Sequence, residues 1–112
     1  MSEGKSKANA QLIAKAQKRQ NRLNSIKNQL ESGSMTSFDQ MFAIISETRI
    51  ASELGISFYT FRKKWKDPGE FSINEMMRFA ALIGVKYDMI RDFIWNMIKN
   101  KSKSRIFRES VF

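Results

Sequence analysis

The 112-residue chain contains no cysteine and no histidine. Without cysteine there is no disulfide framework and no thiolate to bind a metal. Without histidine the chain lacks both the usual general base and the commonest metal ligand. Carboxylate-only chemistry remains open, but no pair of acidic residues stands at a spacing that points to it. The sequence therefore argues against an enzyme and implies no metal, no cofactor and no small-molecule ligand. No apolar run approaches the ~20 residues that a membrane span needs, so no membrane partner is expected. The charged N-terminus lacks the apolar segment of a secretory signal, and on that ground a cytoplasmic location is expected.

What is present is an excess of positive charge, unevenly distributed. The net charge of +9 separates into +5 over residues 1–33, zero over 34–98 and +4 over 99–112. Basic ends around an electroneutral centre are a common means of adding affinity for a phosphate backbone. They favour nucleic acid over either solubility or some other acidic partner as the reason for the charge. The hydrophobic fraction of 42%, with nine Phe, two Trp and two Tyr, is enough for one small domain with a modest core.

Residues 1–7 lack apolar periodicity and are expected to be disordered. From Ala8 to Glu31 there is no Pro or Gly, and Leu12, Ala16, Leu23, Ile26 and Leu30 follow a seven-residue pattern interrupted by Arg19. This predicts an amphipathic helix ended by Ser32-Gly33-Ser34, too polar to stand without a partner, which could be the domain, another copy or nucleic acid. Ser37-Phe38-Asp39-Gln40 reads as a capping box before a helix with Phe38, Met41, Phe42 and Ile45 inward. Ser46 can cap the next helix, where Ile50, Ala51 and Leu54 face the core, and Gly55 suits its left-handed end. The helix from about Ser57 to Lys66 divides into two faces, Phe58, Phe61 and Trp65 against Tyr59, Arg62, Lys63 and Lys66. Asp67-Pro68-Gly69 stops it. Ser72-Ile73-Asn74-Glu75 is a second capping box, opening an apolar helix that ends at Gly84, with Met76, Met77, Phe79, Ala80, Leu82 and Ile83 expected in the core rather than around a ligand pocket. A last helix from about Tyr87 to Asn100 carries Tyr87, Ile90, Phe93, Ile94 and Met97 inward, with Met89 and Trp95 on another flank. No segment alternates, so no sheet is expected. The tail is basic, and Ile106, Phe107, Val111 and Phe112 are available to dock elsewhere.

The segment Ile50-Ala51-Ser52-Glu53-Leu54-Gly55-Ile56-Ser57, followed by Thr60-Phe61, resembles the Cro and phage-repressor helix-turn-helix family. Phe79-Ala80-Ala81-Leu82-Ile83-Gly84-Val85 is similar to that family's fourth-helix signature. The resemblance covers residues 37–98. It implies an all-α, five-helix Cro/repressor-like domain at 34–98. Outside the resemblance lie the N-terminal basic amphipathic helix (1–33) and the basic C-terminal tail (99–112), which charge and periodicity alone predict. The resemblance also implies a phage or bacterial transcriptional regulator that places the Ser57–Lys66 helix in the major groove of double-stranded DNA. Position by position, Phe58, Tyr59, Arg62 and Lys63 would reach base edges, with Ser57 and Lys66 nearer the phosphates. Three positions depart from the family pattern. Glu47 stands where Gln is favoured and would repel a phosphate. Phe58-Tyr59 open a helix that usually begins with polar residues, and Lys64 occupies a commonly apolar site, with Trp65 taking over its packing.

A homo-oligomer is expected, since two copies would read half-sites about one DNA turn apart. The alternative expectation is a protein-interaction or virion-assembly subunit that keeps this fold. Its exposed aromatics and two basic ends would then engage neighbouring proteins or nucleic acid.

Overall fold

The computed structural model describes residues 2–111, with side chains described over 9–100. It contains six α-helices among the described residues and no strand. They are α1 (Ser2–Ser32), α2 (Phe38–Phe42), α3 (Glu47–Leu54), α4 (Phe58–Lys66), α5 (Ile73–Ile83) and α6 (Tyr87–Val111), with a short 3₁₀ turn at Pro68–Glu70 between α4 and α5.

Serine side chains start four of these helices by satisfying backbone N–H groups that have no intrahelical partner. Ser37, Ser46, Ser57 and Ser72 accept from the backbone N–H of Gln40, Arg49, Thr60 and Glu75. Only Ser72 completes the reciprocal box, because Glu75 reaches back to the Ser72 N–H at 2.8 Å. At Ser37 the expected box is half formed: the Gln40 side chain instead accepts from the Thr36 N–H at 2.6 Å.

Two glycines in the left-handed region end α3 and α5. Gly55 (φ 72°, ψ 26°) turns the chain so that Ile56 N–H donates to Ala51 O and Gly55 N–H to Ser52 O, both at 3.1 Å. This paired pattern closes the last turn of α3 and sends the chain directly into α4. Gly84 (φ 85°, ψ 33°) ends α5 differently, since its own N–H and that of Val85 both donate to Ala80 O, at 2.8 and 3.0 Å.

The amphipathic stripes meet in one core centred on aromatic rings. Phe61 and Met41 are fully buried, and Phe38, Ile50, Ala51, Phe79, Ala80, Ile83, Ile90, Phe93 and Ile94 close around them. The Phe38 ring lies 5.2 Å from Phe93, 5.9 Å from Phe71 and 6.3 Å from Phe61, centroid to centroid. Stacked and edge-on pairs at such spacings add to the area term. Trp65 packs on Phe42 at 5.2 Å and on Phe38 at 6.2 Å, the packing role expected of it.

Leu23, Ile26 and Leu30 of α1 belong to this same core, so the domain itself is the partner of the second half of α1. Other features differ from the sequence-based expectation. Met35 and Phe71 are also buried there, although both lie in connectors where no periodicity marks them. Met76, Tyr87 and Met97 are only half-buried, and Met77, expected in the core, is 55% exposed because it falls on the outer side of α5 from Phe79, Ala80 and Ile83. Helix α1 begins at Ser2 rather than Ala8, where residues 1–7 were expected to be disordered: no proline interrupts it, and Gly4 alone costs only about 1 kcal/mol of propensity. Helix α6 continues past Asn100 to Val111, since no Gly or Pro follows to stop it. Docking of Ile106, Phe107, Val111 and Phe112 lies outside the described side chains.

Candidate nucleic-acid interface

The candidate residues sit on α4 and its cap. Ser57 caps the helix, and its hydroxyl lies 2.8 Å from the Thr60 hydroxyl. Phe61, fully buried one turn on, fixes the helix rotation. That rotation turns the second face outward: Tyr59 is 83% exposed, and Arg62, Lys63 and Lys66 are exposed beside it. Phe58 is half-buried and lies edge-on to Tyr59 at 5.9 Å. The Lys66 ammonium lies 5.8 Å from the Trp65 ring centroid. Thus Tyr59, Arg62, Lys63 and Lys66 share one open surface, while Phe58 and Ser57 form its edge.

Arg62 is not a free cation on this surface. Its Nε and Nη2 donate to the two oxygens of Glu47 at 3.0 and 3.1 Å. Its guanidinium carbon stands 4.5 Å from the Phe58 ring centroid. Trp65 Nε1–H donates to the same Glu47 at 2.8 Å. Glu47, at the start of α3, therefore accepts from two positions on α4 and holds the two helices in a fixed relation. The hydrogen bonds from Arg62 lower the Glu47 carboxyl pKa most; partial burial opposes them, and Trp65 adds to the lowering. The bidentate clamp uses the Nε/Nη2 edge of the guanidinium, leaving Nη1 and the second Nη2 proton as a donor edge. Sequence reasoning read Glu47 only as a charge that repels a phosphate. No local spacing rule links it to Arg62, which lies 15 residues away.

Lys64 turns inward from the other lysines and meets both oxygens of Glu75 on α5 at 2.5 Å. Burial of Glu75 works against its ionisation, but the bonds from Lys64 and Ser72 outweigh it and hold the carboxyl below its ordinary range. A lysine at a commonly apolar position is thereby accommodated: its stem packs and its charge is paired. A third pair ties α1 to α3, where Arg19 donates to Glu53 at 2.6 and 3.2 Å. The Arg19 hydrogen bond is the main cause of a lowered Glu53 pKa, which burial opposes.

Among the described residues there is no group of three or more His, Cys, Asp or Glu placed to hold a metal ion. No described helix is long and apolar enough to cross a membrane. No family model, no curated protein and no solved structure matches the chain.

Proposed function

We propose that α3, the Gly55 turn and α4 form a helix-turn-helix, and that the protein binds double-stranded DNA by laying α4 in the major groove. The observation that carries this reading is the outward face of α4, where Tyr59, Arg62, Lys63 and Lys66 stand together over a rotation fixed by buried Phe61. Lys63 and Lys66 supply phosphate or base contacts. The open edge of Arg62 can address guanine, and the Tyr59 ring can meet a thymine methyl group. The Ser57 cap and the first turn of α4 bring backbone N–H groups toward a phosphate. The role that best fits such a domain, given its likeness to Cro and phage repressors, is transcriptional regulation in a phage or bacterium. Oligomerisation would pair two half-sites.

The test combines selection of bound sites from random duplex DNA with the mass of the protein in solution. The expected result is an enriched, roughly two-fold symmetric sequence bound by a dimer. Arg62→Ala and Lys63→Ala should each weaken binding to the enriched site. Unchanged affinity at moderate salt in both variants would overturn the reading. A second reading, an interaction or virion-assembly subunit that retains this fold, is favoured by Leu12 and Ile13, which are 64% and 67% exposed on α1. A large homo-oligomer with no enriched DNA sequence would select it.

A further inference from the structure

The face of α1 that enters the core continues where the core stops. Leu23, Ile26 and Leu30 are at 3%, 1% and 6% exposure. Stepping back along the same helix face leads through Arg19 and Ala16 to Leu12, which is 64% exposed, with Ile13 beside it at 67%. At 1.5 Å per residue, Leu12 to Leu23 spans about 16 Å, or roughly three helical turns. Alongside this stretch, between α1 and helices α3 and α5, lies a half-open cleft of about 430 Å³ with Leu23, Ile45 and Leu82 in its walls. Its rim is cationic: Lys15, Lys18 and Arg22 of α1 face Arg49 of α3. Glu53 is also there, but it is committed to Arg19.

An apolar strip flanked on one side by cations is matched by an element with the opposite charge pattern. We propose that this strip of α1 binds an acidic amphipathic helix of a partner protein. Apolar side chains at three- and four-residue spacing on that helix cover Leu12 and Ala16 and reach the cleft mouth. Its carboxylates meet Lys15, Lys18, Arg22 and Arg49. Charge decides against a second copy of α1 as the occupant, because pairing it here would set the same lysines and arginines against one another. Duplex DNA would satisfy the cations but leave Leu12 and Ile13 uncovered. None of these residues lies on α4, so the inference stands apart from the nucleic-acid reading and fails independently of it.

The experiment is a fluorescence-anisotropy titration of the full chain against a labelled synthetic peptide of about three heptads, with Leu at the a and d positions and Glu at the flanking ones. One control peptide carries Lys for each Glu, and another carries Ser for each Leu. The acidic amphipathic peptide should bind about ten-fold more tightly than either control. Lys18→Glu with Arg22→Glu, and separately Leu12→Asp, should each weaken it about ten-fold. Thermal melts should be unchanged, because all three side chains are exposed. Equal binding of the Leu-free peptide would reduce the strip to ionic attraction and overturn the proposal. So would indifference to Leu12→Asp, displacement of the peptide by duplex DNA, or self-association that Leu12→Asp abolishes.

Discussion

If α4 enters DNA as proposed, replacing Glu47 with Gln should make that binding stronger and more salt-dependent, although it removes a well-formed ion pair. Glutamine keeps the size of the side chain, and its carbonyl oxygen can still accept from Trp65 Nε1–H, now at 2.8 Å from the carboxylate. It cannot accept two charge-assisted bonds from Arg62, which Glu47 receives at 3.0 and 3.1 Å. Two things change beside the α4 surface: the negative charge of a carboxylate whose side chain is 15% exposed disappears, and the Arg62 guanidinium is released from its bidentate clamp. One additional phosphate contact steepens the dependence of log affinity on log salt by about 0.9. Across a four-fold change in salt that amounts to an extra ~3.5-fold loss for the variant relative to the wild type (4 raised to 0.9). The assay is anisotropy with one labelled duplex over a salt series, run on wild type, Glu47→Gln and Lys63→Ala. Lys63→Ala should move the slope the other way by about one unit. An unchanged or shallower slope in Glu47→Gln would refute the argument that the clamp holds Arg62 back from the phosphates. A lower affinity with an enriched site, but not with random DNA, would instead make Glu47 a support that orients the open Arg62 edge for base reading.

Lys64→Met leaves Glu75, whose side chain is 13% exposed, without its cation. It should cost about 1–3 kcal/mol in urea unfolding, and adding Glu75→Gln should recover part of that loss. Gly55→Ala should cost about 1–2 kcal/mol from backbone strain alone, because an added Cβ at φ +72° meets nothing within 4 Å. Gly55→Asn should cost less, since Asn tolerates the left-handed region, and equal losses in both variants would contradict a purely conformational cause. In the folded protein the ion-pair hydrogen bonds to Glu47 and Glu53, and those that outweigh burial at Glu75, hold all three carboxyls below the ordinary glutamate range. Their contribution to stability is fully present above the unfolded value and is lost as pH falls through the lowered folded values. The denaturation midpoint should therefore hold steady near neutrality and fall below about pH 4.5. Glu75→Gln should flatten that fall, and an unaltered acid limb would argue against the Lys64–Glu75 pair.

Helix ends were legible in the chain wherever one side chain decides them. Ser46, Ser57 and Ser72 mark starts, and Gly55 and Gly84 mark stops, because caps act over a few residues through local hydrogen bonds. The stripe spacing likewise identified Phe38, Met41, Ile50, Leu54, Phe61, Phe79 and Ile90 as core. The same spacing identified Tyr59, Arg62, Lys63 and Lys66 as an exposed face. Helical periodicity sorts residues into faces without reference to the rest of the molecule. The outer limits of α1 and α6 were less legible, since the absence of a breaker permits a helix to continue but does not state where it ends.

The partners of those faces were decided by tertiary structure alone. Glu47 with Arg62, Lys64 with Glu75, and Arg19 with Glu53 join residues 15, 11 and 34 apart, on different helices. Which cation pairs and which stays open depends on how α4 rotates against α3 and α5, and on where α1 crosses them. Met35 and Phe71 entered the core for the same reason, carried there by connectors with no pattern of their own. Sequence therefore set the helices, their caps and the basic face of α4. Packing determined that one arginine of that face is clamped by a glutamate, and that half of α1 is core while its other half leaves leucine and isoleucine exposed.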